Sequence, residues 1–137
     1  MSVVITERER EGIRILDVRG RLVAGEGVSA LRDAVNSLLA RGFKNVILNL
    51  AEVDYIDSTG LGTLVICHTT LQKNGGVLKI LNLNDRHLEL LVLTKLTTVF
   101  ELFDDELEAV NSFFPERQVR KFDILSFVQQ LEQSKKQ

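Results

Sequence analysis

Between Asn45 and Gly62 an apolar run passes directly into a cluster of helix-capping residues, NVILNLAEVDYIDSTGLG, and this passage restricts the fold more than any other part of the chain. Val46, Ile47, Leu48 and Leu50 leave almost no polar face, the pattern of a strand covered on both sides in a sheet with helices packed against it. The run predicts the central strand. After it, Asp57, Ser58 and Thr59 are three successive residue types whose side-chain oxygens can cap a helix, while Gly60 and Gly62 let another backbone come close. A hydroxyl is therefore expected on display at a helix start, with Ser58 as the working residue.

The rest of the chain supplies the layers for such a strand. Val3 to Arg10 and Ile13 to Val23 are β-rich segments separated at Glu11-Gly12, a hairpin signal. In the second, Ile13, Ile15, Val18 and Leu22 alternate with polar residues, and the alternation slips at Leu16. Val28, Leu31, Val35, Leu38 and Leu39 then draw a helical stripe that Gly42 can end. Beyond the central strand, Leu61, Leu64, Val65, His68 and Leu71 share one side of a second helix, stopped at Asn74-Gly75-Gly76. Val77 to Leu81 reads as a strand. Asp85 is the expected cap of a third helix with Leu88, Leu91 and Val92 inward, Val99 to Phe103 a last strand, and Asp104 the cap of a helix reaching Phe113 with Leu107, Val110 and Phe114 inward.

This order, β-β-α-β-α-β-α-β-α, predicts an α/β domain over residues 1–113, a mixed β-sheet opened by an antiparallel hairpin and covered by about four helices. Residues 114–137 form an extension. Phe114-Pro115 breaks the pattern, Glu116, Arg117, Arg120 and Lys121 make a polar linker, and Asp123 opens an added amphipathic helix with Ile124, Phe127, Val128 and Leu131 on one stripe. Ser134 to Gln137 is expected to fray.

Composition removes several function classes. With 137 residues and 45% hydrophobic content the chain fits one domain with a full core, and 17 basic against 19 acidic residues give a net charge of −2 with no basic stripe for a phosphate backbone. Direct nucleic-acid binding is not expected. The opening MSVVITERERE lacks the apolar core of a signal peptide, and no apolar run approaches membrane-spanning length, so the expectation is a cytoplasmic protein without membrane insertion. Cys67 reads as a small buried hydrophobe. Neither His68 nor His87 is placed by a recognisable motif, and the acidic group Asp104, Asp105, Glu106 and Glu108 lacks the ligand spacing of a calcium loop. No metal, cofactor or catalytic residue is expected. Ser58 is not framed as Gly-x-Ser-x-Gly, and Gly60-Leu61-Gly62 is not followed by Gly-Lys-Ser/Thr, so neither a hydrolase nor a nucleotide site is indicated.

The strand, the DSTGLG turn, the following helix and the element order together resemble the STAS family, over roughly the first four-fifths of the chain. Within it, the anti-sigma-factor antagonists have a strand end matched by Asn49-Leu50, an Asp-Ser-Ser/Thr-Gly matched from Asp57, and a Gly-Gly matched by Gly75-Gly76. The resemblance implies that Ser58 is the phosphorylated serine and that Asp57, Ser58, Thr59, Gly60 and Leu61 meet the partner. It implies a binding protein, not an enzyme, that when unphosphorylated holds an anti-sigma factor with serine kinase activity and frees a sigma factor, with a serine phosphatase to reset it.

Other readings stand beside this one. A serine before a helix is most often only a cap. Asp57 serves either as a cap or as a carboxylate that orients the Ser58 hydroxyl and repels a phosphate placed on it. The same turn in a STAS subunit of a transporter or sensory assembly would contact an ATPase or scaffold, and a small-ligand carrier is a further alternative without positive support. Two departures from the family pattern stand out: Gly20-Arg21-Leu22-Val23 replaces a Gly-x-Leu-Asp, and Lys95-Leu96 lacks the usual glycine. The added helix is expected to fold back on its own domain or to pair with a second copy.

Overall fold

Glu11 and Gly12 adopt φ angles of 52° and 85°, the left-handed pair that a two-residue hairpin turn needs, and Arg10 lies opposite Ile13. This turn folds β1 (Val3–Arg10) onto β2 (Ile13–Leu22) in the predicted antiparallel hairpin. The computed structural model describes residues 3–117 and 123–136. After the hairpin come α1 (Glu26–Ala40), β3 (Asn45–Ile56), α2 (Ser58–Lys73), β4 (Val77–Leu81), α3 (Asp85–Leu93), β5 (Glu101–Phe103), α4 (Glu106–Asn111) and α5 (Ile124–Lys136). The five strands lie in the order β1-β2-β3-β4-β5, parallel after the first pair. The apolar run forms the middle strand, as predicted.

Successive side chains of a strand point to opposite faces, and here both faces are covered. Val46, Leu48 and Leu50 enter a larger core with Leu31, Val35 and Leu38 of α1, Leu64 and Leu71 of α2, and Leu88 and Leu91 of α3. Ile47 enters a smaller cluster with Ile13, Ile15, Leu81 and Phe103 beneath Ala109 and Val110 of α4. The slip at Leu16 has the same cause. Ile13 and Ile15 face α4, whereas Leu16, Val18 and Leu22 face the larger core.

Several boundaries fall elsewhere than predicted. Asn84, not Asp85, caps α3, accepting the His87 N–H at 2.8 Å, and Asp105, not Asp104, caps α4, accepting the Glu108 N–H at 2.9 Å. Adjacent capping residues compete, and the one whose backbone is extended while the next turns helical wins. A short 3-10 turn at Leu96–Thr98 delays the last strand to Glu101, so Val99 and Phe100 precede it. Lys95 enters that turn at φ 62°, ψ 23°, and so takes the left-handed backbone that glycine would adopt more cheaply. Leu107 is exposed, and Ala109 takes the inward position. The rotation follows from Glu106, which reaches the sheet to pair with Arg8 and Arg10 and carries its i+3 and i+4 neighbours inward.

The same ion pairs predict an acid response. Arg8 also pairs with Asp17 at 2.6 Å, and Asn49 donates to Asp17 at 2.8 Å, so a chain of polar contacts crosses the outer face of the sheet. Hydrogen bonds from Arg8, and then from Arg10, hold the Glu106 carboxyl down at about 2. Its contribution is present above the ordinary carboxylate range and is lost as pH falls through that range toward 2. Glu106→Gln is expected to cost about 1 kcal/mol at pH 7, as for a networked ion pair. In urea unfolding, the gap between wild type and variant should narrow markedly by pH 2.5; a gap of equal size there would refute the assignment.

Buried Lys79 steadies the end of α4. Its Nζ donates to the Ser112 hydroxyl at 2.7 Å and carbonyl at 3.1 Å, pairs with Glu101 at 2.8 Å and lies 4.4 Å from the Phe113 ring centre. Asp123 starts α5 as expected, accepting the Ser126 N–H at 3.1 Å. Ile124 and Phe127 pack on the larger core of their own chain, and Val128 and Leu131 are half-buried beside them on the stripe. The helix runs on through Ser134, where the frayed end is expected to begin, to Lys136. Lys135 reaches Glu89 of α3 at 3.6 Å, an ion pair that extends the docked helix by another turn. Arg120 and Lys121 of the polar linker, and Gln137, lie outside the described residues.

Candidate functional site at the end of the central strand

Asp57 follows the last residue of β3 in extended conformation and caps α2. Its Oδ1 accepts the Gly60 N–H at 2.7 Å, and its Oδ2 accepts the Ala24 N–H at 3.0 Å. One carboxylate thus ties the loop after β2 to the first turn of α2. These two backbone donors hold its pKa below the usual carboxylate range, so it is charged at neutral pH. The Asp57 N–H donates to the Leu22 carbonyl at 3.2 Å, and the Leu61 N–H to the Asp57 carbonyl at 2.9 Å.

Glycine permits this closeness. A Cβ on Gly60 would stand 2.0 Å from the Leu22 carbonyl oxygen, and one on Gly27 would stand 2.5 Å from that of Arg21. The loop after β2 and the turn after β3 therefore form one platform.

Ser58 is the first residue of α2, and both it and Thr59 are exposed on that platform. No described residue hydrogen-bonds the Ser58 hydroxyl. Asp57 is half-buried and acts as a cap; both of its oxygens engage backbone amides. Gly60 and Leu61 turn inward, Leu61 only 8% exposed in the larger core. Of the five residues expected to meet a partner, Ser58 and Thr59 face solvent most openly, and the inward pair fixes where they sit. Thr63 adds a buried bond from its hydroxyl to the Thr59 carbonyl at 2.9 Å. Ala24 and the Leu22 carbonyl were not foreseen from the sequence. Gly25 and Gly27 were their only local signal.

Other candidates have structural surroundings. Burial pushes the Cys67 thiol up to about 11, so it is protonated and unreactive at neutral pH. His68 packs its ring edge against Phe100, with centroids 5.5 Å apart. His87 is buried, and neither of its ring nitrogens has a partner among the described residues. Of the acidic group around α4, Asp105 is a cap and Glu106 an ion-pair member. Among the described residues no group of three or more His, Cys, Asp or Glu is arranged to hold a metal, and no helix is long and apolar enough to cross a membrane.

The family model for the STAS domain matches residues 5–109, and the chain belongs to that family. An anti-sigma-B factor antagonist of Bacillus subtilis is 33% identical over 84 residues, which span 58% of this chain and 76% of that protein. Among solved structures, an anti-sigma factor antagonist from Mycobacterium paratuberculosis superposes with a TM-score of 0.71 at 21% identity, covering 81% of this chain and 93% of the other. The Bacillus cell fate determinant SpoIIAA, solved in its phosphorylated form, gives 0.63 at 17% identity over 80% of this chain and 99% of that one.

Proposed function

We propose that this chain is a regulatory binding protein switched at Ser58. Unphosphorylated, it holds an anti-sigma factor with serine kinase activity and so frees a sigma factor; phosphate on Ser58 ends the complex, and a serine phosphatase restores it. The observation that carries this reading is the exposed Ser58 hydroxyl on a turn fixed by Asp57, Gly60 and the Leu22 carbonyl. Its similarity to an anti-sigma-B factor antagonist supports the same reading.

The physical chemistry of the switch follows from the position. A phosphate adds about two negative charges at neutral pH, and at the first residue of a 16-residue helix that charge meets the positive end of the helix dipole. The fold therefore tolerates it. A partner seated on the same turn does not, because its acceptor groups were placed against a neutral hydroxyl. No described residue contacts Ser58 Oγ as a base, so the kinase is expected to bring its own.

Incubation with the kinase and ATP, followed by peptide mapping by mass spectrometry, is expected to locate the phosphate on Ser58; a phosphate mainly on Thr59 would overturn the reading. Ser58→Ala is expected to bind the kinase persistently. Ser58→Asp is expected to bind it at least about thirtyfold more weakly, since a charge left unpaired in an interface costs 2 kcal/mol or more, with thermal stability almost unchanged.

A further inference from the structure

His87 carries an ionisable ring into the interior of the fold. It is 3% exposed, both ring nitrogens are buried, and neither has a hydrogen-bond partner among the described residues. Backbone and packing hold it there. Asn84 accepts the His87 N–H at 2.8 Å as the cap of α3, and Leu88 and Leu91, 2% and 1% exposed, anchor the same helix in the larger core. A neutral imidazole tolerates such a place. An imidazolium does not, since a buried charge needs an opposite charge or hydrogen bonds to offset lost solvation.

The groups around the ring add to that penalty. His87 is the third residue of α3, in the first turn, where the helix dipole opposes a cation, and Arg86 stands next to it. Asp85 and Glu89 are two residues away on the same helix, a spacing that does not bring side chains together. Glu89 is turned instead to Lys135 of α5, at 3.6 Å. From β3, Asp54 supplies a negative charge without bonding either ring nitrogen, and Tyr55 and Ile56 share with His87 the lining of an open depression through which water comes close. Burial first, and then Arg86, hold the His87 pKa below the ordinary histidine range against the opposing pull of Asp54.

The ring is thus neutral while α3 is docked and titrates near the ordinary value of about 6.5 once it is not. The stability that neutral His87 permits is complete above that value and is lost as pH falls through it. Glu7, Asp17, Asp57 and Glu106, whose carboxyls are all held below the usual carboxylate range, titrate at lower pH. A helix of nine residues does not persist without its docking contacts, so α3 can open as a unit.

We infer that His87 is a proton-operated latch: a proton taken from solvent onto a ring nitrogen drives the imidazolium out of the interior and frees the first turn of α3 from the end of β3. The release breaks the bond from Arg86 to the Asp54 carbonyl, 2.7 Å long and three residues before Asp57, and carries Glu89 away from Lys135. Mild acid then loosens this edge of the domain while the hairpin and α1 stay folded.

Hydrogen exchange of the full chain at pH 7.5 and 5.5, corrected for the intrinsic exchange rate, provides the test. The opening constant for the amides of Leu88 to Leu93 is expected to rise about five- to tenfold between the two, the change due to one proton taken up on opening, with a much smaller rise in α1. His87→Leu removes the charge and keeps most of the bulk, and the rise should vanish in it; His68, the second histidine, is untouched there and serves as the control. A rise that persisted in the variant would overturn the inference. An equal rise in α1 of the wild-type chain would overturn it too, because the whole domain would then be opening. Should His87→Leu fail to fold, the NMR titration of the His87 ring carbons in the wild-type chain decides: a midpoint well below about 6.5 is expected, and one at or above that value would refute the latch.

Discussion

Gly60→Ala is expected to destabilise the protein by about 3 kcal/mol or more, a large effect for one added methyl group. The new Cβ would stand 2.0 Å from the carbonyl oxygen of Leu22 and 3.2 Å from Ile56, and the nearer atom is backbone, which no side-chain rotation can move. Either α2 lifts from the end of β2 or the loop carrying Ala24 retreats. Both movements break bonds made by Asp57, because the Gly60 N–H and the Ala24 N–H share its carboxylate. Gly62, two residues on, is the internal control: a Cβ there meets nothing within 4 Å, and alanine in an exposed helical position is favoured over glycine by up to about 1 kcal/mol. Urea unfolding should therefore show opposite signs for the two substitutions. Equal effects would mean that the close approach at Gly60 does not govern this turn.

The consequence for Ser58 is separate from stability. A hydroxyl that works as a switch has to sit in one place before the partner arrives, since ordering it on binding would consume affinity. Asp57 provides that order through backbone amides alone, which leaves the Ser58 side chain uncommitted. A Gly60→Ala protein that still folds is therefore expected to be a poor kinase substrate as well.

Periodicity and capping chemistry made most of this architecture legible before the structure. The run Val46 to Leu50 could only be a strand buried on both faces, and the helical stripes of α1, α2 and α3 had to cover one of those faces. The hairpin at Glu11-Gly12 and the cap at Asp123 were equally plain. What could not be read was any arrangement set by residues distant in sequence. Glu106 turns toward Arg8 and Arg10 from 98 and 96 residues away, and that rotation exposes Leu107 against its apolar character. The bond from Ala24 to Asp57 spans 33 residues and joins two loops with no shared motif. Where two capping residues stood side by side, as at Asn84-Asp85 and Asp104-Asp105, type alone did not choose between them; the backbone conformation did.

Removal of everything after Phe114 is expected to lower stability by about 2 kcal/mol, roughly 6 to 10 °C in melting temperature for a chain of this size. Ile124 and Phe127 pack on the larger core but are only half-buried, so each contributes about half of the 1.5 to 3 kcal/mol that full burial yields, and ordering the helix offsets part of the sum. Val128 and Leu131, half-buried on the same stripe, add to it, whereas Leu125, 75% exposed, does not. Phe113 and Phe114 are retained in the truncation because they pack on the smaller cluster. The melting temperature should fall by the same amount at every protein concentration, since the docking surface and the helix belong to one chain. A loss confined to high concentration, or a change in solution mass without a change in stability, would instead assign the stripe to a second copy. A truncated chain that melts like the intact one would mean that α5 gains nothing from its own domain.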